Sequence, residues 1–264
     1  MAKRPPPHGS ILIKQHLRVA FSNFWVANWK AFETASVPNS LTRPQPKDLK
    51  TMQFSLSLEF DTDVLSLIKD AGQRVAIAKP VGSGAPNVIW VDIDPFQVTT
   101  IEWEENYWIY ASTDSVEHGA SINKLSEVSP GPALDGGYYE FTNNNIFGPF
   151  RKNNSALSVA SGTFAAINNM DYDRYSSLTF GLAQDALVNK KLEERKPISA
   201  QTVLATQSIR MTPFTYVYIW LQAEFESQTI ITEIAGTPSI AKFGGSVTEI
   251  SLKYDPIHGI FAGV

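Results

Sequence analysis

From residue 53 the chain alternates: Phe54, Leu56, Leu58 and Phe60 are apolar, and Ser55, Ser57 and Glu59 between them are polar. A period of two sends successive side chains to opposite faces, so this run predicts a strand with one buried face. Further short runs of strand character follow at 74–78, 87–93, 98–104, 106–112 and 137–142. Turn chemistry separates them, at Asp70-Ala71-Gly72, at Gly82-Ser83-Gly84-Ala85-Pro86 and at Pro130-Gly131-Pro132. Glycine accepts positive φ and proline removes a ladder donor, so these clusters break strands. Many short strands with this punctuation predict an all-β fold of sandwich or barrel type.

The pattern before residue 51 is different. Leu17, Phe21, Phe24, Trp25, Trp29 and Phe32 recur at three- and four-residue steps, which predicts an amphipathic helix over 11–35. Its aromatic stripe is expected to dock on a sheet. The alternative, a membrane surface or a partner, is disfavoured by the few basic residues on the polar face. Pro38, Pro44 and Pro46 make 36–50 an extended linker, and the prolines of residues 1–10 make a tail. Residues 1–50 are thus an appendage of tail, helix and linker.

The chain also resembles itself. Ile101-Glu102-Trp103 recurs as Ile209-Arg210-Met211, Trp108-Ile109-Tyr110 as Tyr216-Val217-Tyr218, and Gly136-Gly137 as Gly244-Gly245, all at an offset of 108 residues. The order of these matches predicts two tandem, similar, sandwich-like β domains, 51–154 and 155–264. Residues 184–201 contain a charged, helix-permitting stretch with no counterpart in the first copy.

Composition narrows the function classes. The chain has 264 residues, 43% hydrophobic and 18% charged, with a formal net charge of -4. That charge gives no basic footprint, so nucleic acid is not an expected partner. The absence of cysteine removes disulfides, thiolate metal sites and a cysteine nucleophile, and points to a reducing, cytoplasmic setting. No apolar run has the length of a bilayer span, and no secretory leader is expected at the start. Self-association is compatible with the sequence.

Reaction chemistry leaves little trace. The four histidines, His8, His16, His118 and His258, show no metal-ligand spacing, and His118 reads as a solvated loop residue. Asp61/Asp63, Asp92/Asp94 and Asp171/Asp173 lack the further ligands of a calcium loop and read as edge-strand and loop acids. Glu102 and Glu104 share a strand face and cannot flank a glycosidic bond. Gly82-x-Gly84 lacks the rest of a dinucleotide fingerprint. No catalytic residue, metal or cofactor is assigned.

The aromatic residues carry the one positive signal. In Phe214–Leu221, Phe214, Tyr216, Tyr218 and Trp220 take one face and Thr215, Val217, Ile219 and Leu221 the other. Trp108 and Tyr110 repeat this arrangement in the first copy. A strand with two apolar faces has both covered, or uses one for binding. The expected ligand-binding residues are Trp108, Tyr110, Tyr216, Tyr218 and Trp220. The expected function is non-enzymatic binding of a carbohydrate or a small apolar molecule, in lectin-like fashion or at the domain junction. The alternatives are a cofactor-independent isomerase or cyclase acting on an apolar substrate, and a membrane-active or self-assembling β protein.

Overall fold

Phe54, Leu56 and Leu58 are buried, with Ser55, Ser57 and Glu59 half-buried between them, so the alternation forms the strand β1 (Gln53–Glu59). The computed structural model describes residues 52–154 and 157–263. The expected helix at 11–35 and linker at 36–50 lie outside the described residues. The described part is mostly β, as its composition of short punctuated strands implies.

One helix, α1 (Thr62–Asp70), follows β1; it buries Ile68 and rests Val64 and Leu65 on the core. The strands of the first half are β2 (Arg74–Ala78), β3 (Val91–Ile93), β4 (Val98–Glu104), β5 (Trp108–Ser112), β6 (Lys124–Glu127), β7 (Gly137–Thr142) and β8 (Arg151–Lys152). Then come β9 (Phe164–Asn169), β10 (Ser177–Val188), β11 (Lys191–Pro197), β12 (Gln201–Leu204) and β13 (Ser208–Met211). The last are β14 (Tyr216–Gln222), β15 (Ser239–Lys242), β16 (Glu249–Asp255) and β17 (Ile260–Gly263).

They form three sheets. The largest has nine strands in the order β17-β16-β1-β4-β10-β5-β6, with β11 and β12 also paired to β10. Two four-stranded sheets run β13-β9-β7-β8 and β15-β14-β2-β3. Pairing is antiparallel except for β1 with β16 and β7 with β9. The main core draws on all three sheets: Leu56, Ile101 and Leu182 from the first, Phe141 and Ile209 from the second, Ile77 and Ile219 from the third.

Strands from before and after residue 154 share these sheets. β1 lies between β16 and β4, β10 pairs with both β4 and β5, and β2 pairs with β14. Segments 51–154 and 155–264 are therefore interwoven within one compact unit, Lys50–Val264. The residues matched at the offset of 108 fall in different surroundings: β4 belongs to the nine-stranded sheet and β13 to a four-stranded one. The matches align aromatic and β-branched residues, which any buried strand carries.

The stretch read as a helix-permitting insertion is a hairpin. β10 and β11 pair through Leu187 and Leu192, and the two residues between them, Asn189 and Lys190, have φ of 48° and 69°. Positive φ at both central positions matches the twist of flanking strands, which is the type I′ preference.

Candidate functional site

β14 is buried on one face and lined with rings on the other. Val217 and Ile219 enter the main core beside Val75 and Ile77. On the opposite face Phe214 and Tyr216 have ring centroids 5.3 Å apart, and Tyr216 and Tyr218 6.3 Å apart. These three rings are half-buried, and Trp220 at the end of the row is buried. β15 is the sheet's edge strand and sets Lys242 opposite Tyr216 and the exposed Ile240 opposite Tyr218. Among the described residues neither tyrosine hydroxyl has a hydrogen-bond partner.

The chain after β14 folds back over Trp220, whose ring packs with Ala76, Ala78, Ile89 and Ile231, flanked by Phe225 and Ile234. Gln222 fixes this return: its side-chain oxygen accepts from the backbone N–H groups of Glu224 and Phe225, each at 2.7 Å. The return is incomplete and leaves a groove. One part, about 420 Å³, runs between Trp220 and Leu221 on one side and Val64, Leu67, Tyr254 and Pro256 on the other. A second part, about 570 Å³, is bounded by His118, Glu224, Phe225 and Glu233. Both parts share Gln73, Trp220, Leu221 and Ala235 in their walls.

His118 is held in one role. Its Nδ1 lies 3.1 Å from both the backbone nitrogen and the hydroxyl of Thr232, and its ring meets Phe225 edge-on at 5.0 Å. A backbone N–H can only donate, so Nδ1 is the acceptor in this contact. Glu224 and Glu233 are exposed and form no ion pair among the described residues. Arg74, next to Gln73, is bound instead by Asp92 on the edge strand β3 and by Asp94 just after it. Burial raises the Asp92 pKa above the usual carboxylate value, against the opposing pull of Arg74.

The other expected site residues lie elsewhere. Tyr110 is fully buried, donates its hydroxyl to the Ser199 carbonyl at 2.7 Å, and has its pKa raised by that burial. Trp108 is buried beneath the Arg195 guanidinium, 5.0 Å from its ring centroid. Both belong to a satellite core with Val88, Ile122, Ala183 and Ala200. β5 lies between β10 and β6 with every residue buried, and neither Trp108 nor Tyr110 lines either part of the groove. Two equivalent aromatic sites are not formed; Tyr216, Tyr218 and Trp220 stand on one strand without them.

The sequence reading missed Lys79. It follows β2, is wholly buried, and reaches Glu105 at 3.0 Å and the Gln184 oxygen at 2.8 Å. Its Nζ lies 5.3 Å from the rings of Trp90 and Trp103 and 5.5 Å from that of Tyr107. Glu105 also accepts from the Trp103 indole at 2.9 Å and from the Tyr107 hydroxyl. Burial lowers the lysine pKa, against the attraction of Glu105. The signal available was a lysine closing an apolar strand, which does not reveal partners from other strands.

A smaller notch, about 230 Å³, is lined by Asp114, Ser115, Glu117, Ser177, Thr179 and Thr202 and has no aromatic wall. Among the described residues no group of three or more His, Cys, Asp or Glu side chains is placed to hold a metal ion. None of the described helices is long and apolar enough to cross a membrane. No protein-family model, curated protein or solved structure matches this chain.

Proposed function

We propose that this is a non-enzymatic ligand-binding protein whose site is the aromatic face of β14 and the groove at its end. The ligand is a carbohydrate or a small apolar molecule, bound in a cytoplasmic setting. The observation that carries this reading is the continuous row Phe214–Tyr216–Tyr218, half-exposed and leading to Trp220. Half-exposed rings with free hydroxyls offer flat apolar contact plus hydrogen bonding at the edge. The groove beyond them is concave, with an apolar floor and a few polar groups on its rim, which is the ordinary composition of a small-molecule site. The isomerase or cyclase alternative requires an acid or base turned on the substrate, and His118, Glu224 and Glu233 on the wall of the groove are the groups that would have to serve.

The test is calorimetric titration with a panel of oligosaccharides and ring-bearing small molecules. A panel member binds, and Tyr218→Ala weakens it about tenfold, the scale of one lost ring contact. The reading fails if no panel member binds, or if binding is indifferent to both Tyr218→Ala and Trp220→Phe.

A further inference from the structure

We propose that the ligand of the Trp220 groove carries a protonated amine beside an apolar ring. This rests on the groove being the binding site, and it narrows the ligand by charge. The floor is apolar and aromatic, formed by Trp220, Leu221 and Phe225. Among the described residues the formal charges on the walls are those of Glu224 and Glu233, and no described lysine or arginine lines either part of the groove. The guanidinium nearest in sequence, Arg74, is neutralised by Asp92 and Asp94. His118, whose Nδ1 accepts from the Thr232 backbone N–H, adds a polar group to the wall.

An anionic ligand would therefore meet two carboxylates with no compensating cation among the described residues. A neutral ring would gain the apolar contact alone. A ring with an ammonium group gains that contact, attraction from both carboxylates, and a cation–π term wherever the charge lies over a ring. The core of this protein already uses that combination for its own ammonium, with Lys79 set among Trp90, Trp103 and Tyr107 and paired to Glu105.

The experiment titrates the full chain with three probes of similar size and different charge: phenethylamine, phenethyl alcohol and phenylacetate. The amine binds about three- to tenfold more tightly than the alcohol, as two exposed carboxylates provide, and phenylacetate binds more weakly than either. In the double variant Glu224→Gln/Glu233→Gln, the amine and the alcohol converge while the alcohol is unchanged. Both glutamates are exposed, so the variant folds, and far-ultraviolet circular dichroism confirms it. If the alcohol equals the amine in the native protein, the amine inference is overturned and the groove reading stands. If the amine preference survives in the double variant, the inference is likewise overturned. If none of the three probes binds, the amine inference fails, and with no binder in the wider panel the groove reading fails with it.

Discussion

The ammonium of Lys79 lies 2.8 Å from the side-chain oxygen of Gln184, 105 residues further along the chain. The contact joins the end of β2, in one sheet, to β10 at the centre of another. Replacing Lys79 by Met leaves Gln184 and Glu105 each short of a donor in a largely dry site. Breaking a buried charged contact in this way costs about 2–4 kcal/mol, reduced here by the partial exposure of Glu105. Urea unfolding of Lys79→Met measures the loss, with the exposed Lys69→Met as a control expected to stay within about 0.5 kcal/mol. A Lys79→Met protein as stable as wild type would show that the contact does not hold the sheets together.

The same lysine gives a pH signature. Burial lowers its pKa below the ordinary 10.5, so the folded protein releases this proton at a lower pH than the unfolded chain. Between the two values the unfolded chain binds more protons, so the lysine's contribution to stability rises with pH through that window. Tyr107 acts in the opposite sense: burial, then the Glu105 charge, raises its pKa above 10.0, and its contribution is lost as alkali ionises the unfolded chain. Comparison isolates the lysine. The stability gap between wild type and Lys79→Met widens as pH is raised toward 10.5, and a gap that narrows contradicts the assigned direction.

Gly181 faces Tyr110 across the β10–β5 ladder. A Cβ at this glycine would stand 1.8 Å from the Ser199 carbonyl oxygen and 2.7 Å from the Tyr110 ring. One of these neighbours is backbone, so the clash cannot be relieved by a rotamer change. Gly181→Ala is expected to cost at least about 3 kcal/mol or to abolish folding, beyond the ordinary range for overpacking. Thermal melts of Gly181→Ala and of Gly131→Ala, where the added methyl meets open space, provide the contrast.

Two tryptophans differ in what their indole nitrogens touch. Trp108 Nε1 is buried without a hydrogen-bond partner among the described residues, whereas Trp103 Nε1 donates to Glu105 at 2.9 Å. Trp108→Phe removes an unpaired donor along with some packing, so it costs less than Trp103→Phe, by about 1 kcal/mol or more. Neither change touches the groove, so ligand affinity stays within about twofold of wild type. Affinity lost in Trp108→Phe would return this residue to the binding site.

The alternating runs β1, β4 and β14 were legible because one of their faces is buried and the period is unambiguous. α1 leaves a fainter signal: Val64, Leu65 and Ile68 have helical spacing, with Asp63 in its first turn and Lys69 in its last, but the run is short and sits between strands. The β10–β11 hairpin carries a helix-permitting pattern because β11 is a charged, partly exposed strand whose apolar contacts come from other strands, Leu187 on β10 and Trp108 on β5. The ring row on β14 could be read from one strand. The groove could not, since His118 comes from the β5–β6 connection and Glu224 and Glu233 from the β14–β15 connection, and the meeting of the two depends on the fold. Lys79 was invisible for the same reason, with Glu105 and Gln184 arriving from β4's end and from β10.

The parallel pairing of β1 with β16 sets Ser55 beside Glu249 and Leu58 beside Leu252. A ribosome releases β1 long before β16 exists. With roughly two hundred residues between the partners, synthesis at about 5–20 residues per second leaves that edge waiting for roughly 10–40 seconds. β4 can close the other side early, but the β16 side stays an open template for pairing with another chain. The hazard to this protein in a crowded cell is therefore timed by translation, and slowing elongation between β4 and β16 lengthens the interval in which nascent chains can seize one another.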